Sequence, residues 1–157
     1  VRIISIDPGM SGAIALHVDG VLESVADMPV VTVMRGKTQK RQVSAQGLAT
    51  LIIELKAEHA VIEKVAAMPG QGVSSMFSFG RSAGLVEGVL AALMVPITYV
   101  QPAVWTRAIT RGVGKDASRH RAMELYPSHS AQFSRVKDDG RADAVLIGYW
   151  YLRELTK

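Results

Sequence analysis

The sequence predicts an α/β fold, a mixed five-stranded sheet of three antiparallel strands and then two parallel ones, flanked by helices on both faces. Three observations carry this. The chain opens with three short apolar runs joined by turn signals, the signature of an antiparallel meander. Two later apolar runs each follow a helical pattern, as parallel strands require. Finally, 157 residues with 48% hydrophobic and 20% charged side chains have the composition of a packed core, and a chain of this length buries roughly 70% of its unfolded surface.

The elements follow in order. Val1 to Asp7 is an apolar run stopped by Pro8-Gly9. Ala13 to Val18 is the second strand, Asp19-Gly20 a hairpin signal, and Val21 to Met28 the third strand. Residues 35–41, with four basic side chains in seven, read as a polar loop. Ser44 is placed to cap a helix running to about Ala57, with Leu48, Leu51, Ile52 and Leu55 on one face. Ala60 to Glu63 is a buried strand. After the turn Pro69-Gly70-Gln71-Gly72, a Gly- and Ala-rich helix runs from about Ser74 to Leu93. Ile97 to Val100 is the fifth strand. Lys115 to Leu125 is helical until Pro127, and a last helix covers Ala142 to Leu155, beginning near Asp139-Gly140.

Composition excludes several functions. With no cysteine there is no disulfide framework, no thiolate-bound metal and no thiol catalysis. The apolar runs fall short of the roughly 18 residues a membrane span needs, and residues 1–4 lack a signal-peptide layout. The expectation is a soluble intracellular protein. A net charge of +4 and a pI near 9.6 suit a polyanionic partner without assigning one.

Four acids carry the chemistry. Asp7 and Glu63 each end a strand, where an α/β sheet places its sites. If those strands are parallel neighbours, the two carboxylates meet at one sheet edge. On a helix, Asp139 and Asp143 lie about 40° apart around the axis, whereas Asp138 points about 140° from Asp143. Each acid alone has an ordinary structural explanation: a strand-ending turn for Asp7, an ion pair for Glu63, a helix cap for Asp139. Together they form a repulsive cluster that a divalent cation would neutralise, and an oxygen-only set favours Mg²⁺ or Mn²⁺. Two such ions are a common device for phosphodiester hydrolysis.

Ile6-Asp7-Pro8-Gly9 with Ser11-Gly12-Ala13, Val61-Ile62-Glu63, and Asp139-Gly140-Arg141-Ala142-Asp143-Ala144 resemble the RuvC-type Holliday junction resolvases of the ribonuclease H-like superfamily. The helix segment from Gly80 to Gly88 and the element Gln101-Pro102-Ala103-Val104-Trp105 are similar to phage-borne and related bacterial members. The resemblance spans nearly the whole chain and implies a single nuclease domain over residues 1–157. It implies a homodimer that nicks two opposing strands of a four-way DNA junction, leaving 5′-phosphate and 3′-hydroxyl ends. It gives Asp7, Glu63, Asp139 and Asp143 the metal-binding places, with Mg²⁺ as the cofactor and Mn²⁺ as a substitute. It also implies a cytoplasmic location in a bacterial or phage-infected cell. The last two acids are four apart here and three apart in the better-known bacterial resolvases, which keeps Asp138 open as the alternative to Asp139.

The remaining candidates concern DNA and assembly. Arg35, Lys37, Lys40, Arg41, Arg81 and Lys137 are candidate phosphate contacts, and Lys115 or Arg119 is a candidate to steady charge on the scissile phosphate. Phe77, with Met76 and Phe79 nearby, is a candidate to stack on bases freed at a crossover; the competing role is core packing. Trp105 reads as core or interface. Gly84 and Gly88 give one helix face small residues, which suits either the dimer interface the family implies or packing within one subunit.

Two other functions fit parts of this pattern. An ATPase of the actin and sugar-kinase superfamily shares a related fold, but needs a second domain that 157 residues cannot supply. A broader branched-DNA nuclease, acting on flaps and forks, or a non-catalytic DNA-binding module would share the same surface.

Overall fold

The computed structural model describes residues 1–110, 112, 114 and 116–157. Strands β1 (Arg2–Asp7), β2 (Ala13–Val18) and β3 (Val21–Asp27) form the expected meander. Strands β6 (His59–Glu63) and β7 (Ile97–Val100) complete a five-stranded sheet in the order β3-β2-β1-β6-β7. The β1–β6 and β6–β7 pairs are parallel, with Ile6 opposite Ile62, so Asp7 and Glu63 leave the sheet side by side.

The region between β3 and the first helix corrects the expectation of a loop. Val30–Arg35 (β4) and Thr38–Val43 (β5) form a separate two-stranded hairpin. Its two-residue turn, Gly36-Lys37, has positive φ at the glycine alone, the arrangement of a type II′ turn. The apolar alternation that marks a half-buried strand is missing from Thr38-Gln39-Lys40-Arg41 because all four are exposed. Cross-strand backbone hydrogen bonds, rather than burial, hold that strand.

Helix α1 (Ala45–Leu55) starts where expected, with the Ser44 Oγ accepting a 3.0 Å bond from the Gly47 N–H. Helix α2 (Val73–Ala92) and α1 cover one face of the sheet over Ile4, Ile6, Ile14, Leu16 and Ile62. The other face, carrying Ile3, Ala13, Ala15 and Val61, packs under α3 (Pro102–Ile109), α4 (Ala117–Leu125) and α5 (Asp139–Leu155). Helix α3 is an addition to the predicted elements. Its eight residues are too few for a periodic pattern, although Pro102 at its first turn is a helix-start signal. Among the described residues, no helix is long and apolar enough to cross a membrane.

Strand parity then decides where the acids face. Ile3, Ser5 and Asp7 share one face of β1, and Val61 and Glu63 share one face of β6. Ile3 and Val61 belong to the core beneath α5, so Asp7 and Glu63 point toward the start of that helix. Gly140 allows the approach: a Cβ there would lie 2.3 Å from the Ser11 carbonyl oxygen. Any larger residue would push Asp139 and Asp143 away from Asp7.

Candidate active site

Asp7, Asp139 and Asp143 line one open cleft of about 560 Å³, with Ser74, Ser78 and Phe79 of α2 on its far wall and Lys40 at its rim. Glu63 lines a neighbouring apolar cleft that shares Phe79. Asp7, Glu63 and Asp143 each feel a neighbouring carboxyl. Burial, and then the Glu63 charge, raises the Asp7 pKa to about 6, while the Gly9 N–H, 3.5 Å from Oδ1, opposes the rise. Burial, followed by the charges of Asp7 and Asp139, lifts Asp143 to about 7, with Ser118 opposing the rise. Glu63 is raised by burial and by Asp143, and lowered by a bond from Trp105. Carboxyls raised by burial and by like charges are concentrated at functional sites.

Three of the four acids accept a hydrogen bond from a protein donor. Asp7 has the Gly9 N–H, and Ser118 lies close enough to Asp143 to oppose the rise in its pKa. Glu63 Oε2 accepts a 2.6 Å bond from Trp105 Nε1. Asp139 Oδ1 accepts a 2.9 Å bond from Arg119 Nε. Among the described residues, no three His, Asp or Glu side chains stand close enough to make a ready-formed metal cage. The donor set nevertheless fits Mg²⁺ or Mn²⁺: its ligands are carboxylate oxygens, and a divalent charge would offset both the burial and the neighbouring charges that raise Asp7, Glu63 and Asp143.

Asp138 takes no part in this cluster. It lies in the short 3₁₀ segment Val136–Asp138 ahead of α5 and is 1% exposed. Its Oδ1 accepts a 2.8 Å bond from Arg135 Nη2, and its Oδ2 accepts from the Arg135 backbone N–H at 2.9 Å. Asp138 is therefore a structural ion pair, and Asp139 is the acid that faces the cleft.

The other predicted residues divide by location. Arg119 is nearly buried, bridging Asp139, Asp116 and the Ser134 carbonyl. In this arrangement it positions Asp139. Lys115 lies outside the described residues. Arg35, Lys40, Arg41, Phe77 and Arg81 line one groove between the β4–β5 hairpin and α2. Lys37 stands at the hairpin tip, and Lys137 is exposed just ahead of α5. Phe77 is 68% exposed, so its ring is free of the core. An added Cβ at Gly84 or Gly88 would meet nothing within 4 Å, so the small face of α2 is turned away from the rest of the chain.

Two neighbours of the acids escape a reading of the sequence. Phe79 stands over the Asp7 turn, its ring 3.4 Å from where a Gly9 Cβ would sit. Trp105 carries the bond to Glu63 from a buried position. Both residues are visible in the sequence, but their contacts with the acids are set by the fold.

The fold is shared with solved structures along nearly its full length. A Thermus thermophilus RuvC in complex with Holliday junction substrate superimposes with a TM-score of 0.62 at 13% identity, covering 98% of this chain and 96% of that one. A second Thermus thermophilus RuvC structure gives 0.56 at 16% identity, covering 99% and 98%. The yeast mitochondrial Holliday junction resolvase Ydc2 gives 0.56 at 13% identity, covering 97% and 79%. No family model matches the chain, and no curated protein matches it. The class defined here is therefore a fold: the mixed, helix-flanked sheet of the RuvC-like, ribonuclease H-like proteins. At the shared end of β1, β6 and α5 this chain carries Asp7, Glu63, Asp139 and Asp143.

Proposed function

We propose that this protein is a structure-selective DNA endonuclease that resolves four-way junctions by metal-dependent phosphodiester hydrolysis. The observation that carries the reading is the coupled carboxylate cluster opening beside a basic groove with an exposed aromatic ring. The shared fold with a protein solved on Holliday junction substrate supports it.

Asp7, Glu63, Asp139 and Asp143 would hold Mg²⁺, or Mn²⁺ in its place. When bound, the metal supplies Lewis acidity at the phosphate and a more acidic water. The chain's own residues do the rest. Arg119 and Trp105 hold Asp139 and Glu63 in place. Lys37, Lys40 and Arg41 on the hairpin, Arg81 on α2 and Lys137 take the phosphate backbone, which docks DNA without reading its sequence. Phe77 stacks on a base released at the crossover, an interaction worth ~1–3 kcal/mol. Hydrolysis adds water across the P–O3′ bond and leaves a 5′-phosphate and a 3′-hydroxyl.

A junction has two scissile strands related by near two-fold symmetry, and an isologous dimer matches them with two sites. The outward face of α2 around Gly84 and Gly88 is our choice for that interface. The test is a nicking assay on four-way junctions, flaps, forks and linear duplex, with Mg²⁺ or chelator. Paired nicks on the four-way junction that require the metal support the reading. Equal cutting of flaps and forks replaces it with a broader branched-DNA nuclease. Junction binding without metal-dependent cutting replaces it with a non-catalytic binding module.

A further inference from the structure

The position of Trp105 has a chemical consequence for the acid it touches. The indole is 2% exposed and packed in the core beneath α5 with Ile109 and Val61. A buried indole N–H needs an acceptor, and the one it finds is Glu63 Oε2 at 2.6 Å. The topology builds this contact. Glu63 pairs with Val100 at the end of the parallel β6–β7 ladder. The chain then passes Gln101 into α3, and one turn of helix brings Trp105 back over Glu63.

We infer that Trp105 is a positioning residue for the metal site, fixing the Glu63 carboxylate by one oxygen while leaving its charge intact. The inference rests on the nuclease reading above. The chemistry of the donor is what distinguishes it. Arg119 orients Asp139 and also brings a positive charge to it. An indole is a neutral donor with no acceptor and no titration. It occupies one lone pair of Oε2 and leaves Oε1 and the full negative charge for a cation. Packing fixes the ring, so the donor is rigid, as a partner that orients a metal ligand should be.

Two measurements on the full chain test this. The first needs no metal. The protein has two tryptophans, so the Trp105 indole N–H resonance is assigned as the one missing from Trp105→Phe. It should lie downfield, exchange slowly with solvent, and move upfield in Glu63→Gln. The second is calorimetric titration with Mn²⁺ in the absence of DNA. Trp105→Phe keeps most of the ring volume and should weaken Mn²⁺ binding roughly 10- to 100-fold. Cleavage at saturating Mn²⁺ should recover more fully than cleavage at limiting Mn²⁺. Ile109→Ala, a core neighbour, should lower stability and leave Mn²⁺ affinity unchanged. If Trp105→Phe fails to fold, a benzothienyl-alanine at 105, which keeps the shape and lacks the N–H, takes its place.

An indole resonance that ignores Glu63→Gln overturns the inference, as does wild-type Mn²⁺ affinity in the N–H-free variant. A wild-type protein that binds no Mn²⁺ overturns the nuclease reading and the positioning role together, and the indole resonance still reports whether the bond exists.

Discussion

Asp143→Asn should make the metal-free protein more stable, although it removes a residue central to the proposed chemistry. Asp143 titrates near 7 in the folded chain against an ordinary 3.8, because burial and then the charges of Asp7 and Asp139 disfavour its ionised form. A carboxyl raised in this way destabilises the fold wherever the folded group is ionised. The penalty is absent below the unfolded value of 3.8, grows as pH rises, and is complete above about 7. The gap between those two values is worth about 4 kcal/mol at most. Against it stands the loss of a negative charge near the start of α5, worth about 0.3–1 kcal/mol. Asn is nearly isosteric with Asp, so packing changes little. The gain wins, and at about 2–4 °C per kcal/mol the melting temperature at pH 8 in chelator should rise by roughly 5–10 °C. Urea unfolding at pH 8 and pH 4.5 gives the assay. The difference between variant and wild type should shrink toward zero at the lower pH. Saturating Mg²⁺ should stabilise the wild type more than the variant. A variant that is equal to or weaker than wild type at pH 8 in chelator would refute the claim that the cluster stores repulsion.

Further outcomes follow from the same geometry. Asp139→Asn should abolish metal-dependent cleavage with the fold intact, whereas Asp138→Asn should lower the melting temperature by loosening the buried Arg135 pair and retain cleavage when folded; the reverse assignment in a paired nicking and melting experiment would move the ligand to Asp138. Phe77→Ala should leave the melting temperature within about 1 °C and reduce junction cleavage more than duplex binding, since the ring is 68% exposed; unfolding of this variant would return Phe77 to the core. Gly88→Leu should shift the protein toward monomer in sedimentation at micromolar concentration without unfolding it, because an added side chain there meets nothing in its own subunit. His17 is held neutral by burial, its pKa down to about 4 from 6.5, so the unfolded chain takes up a proton first as pH falls. Its contribution of about 3 kcal/mol is present above pH 6.5 and lost as pH drops toward 4, which a urea midpoint comparison with His17→Gln across that window measures as a narrowing gap.

The sequence by itself determined the five strands, because each is a short apolar run closed by turn residues, and four of the five helices, through caps and periodicity. It also marked the candidate acids, Asp7 and Glu63 by strand-end position and Asp139 and Asp143 by helical angle, while leaving Asp138 open as the alternative to Asp139. The physical reason is that these signals are local, encoded within a turn of helix or a strand's length. The β4–β5 hairpin stayed hidden because Thr38–Arg41 of its second strand are exposed and leave no burial pattern to read. Only the tertiary structure decided which way the glycine face of α2 turns, that Arg119 is committed to Asp139, and that Asp138 is paired with Arg135. It also decided that Trp105 returns to Glu63 across 42 residues of chain. Those contacts join elements far apart in sequence, and their geometry is set by sheet register and by the close seat that Gly140 allows α5.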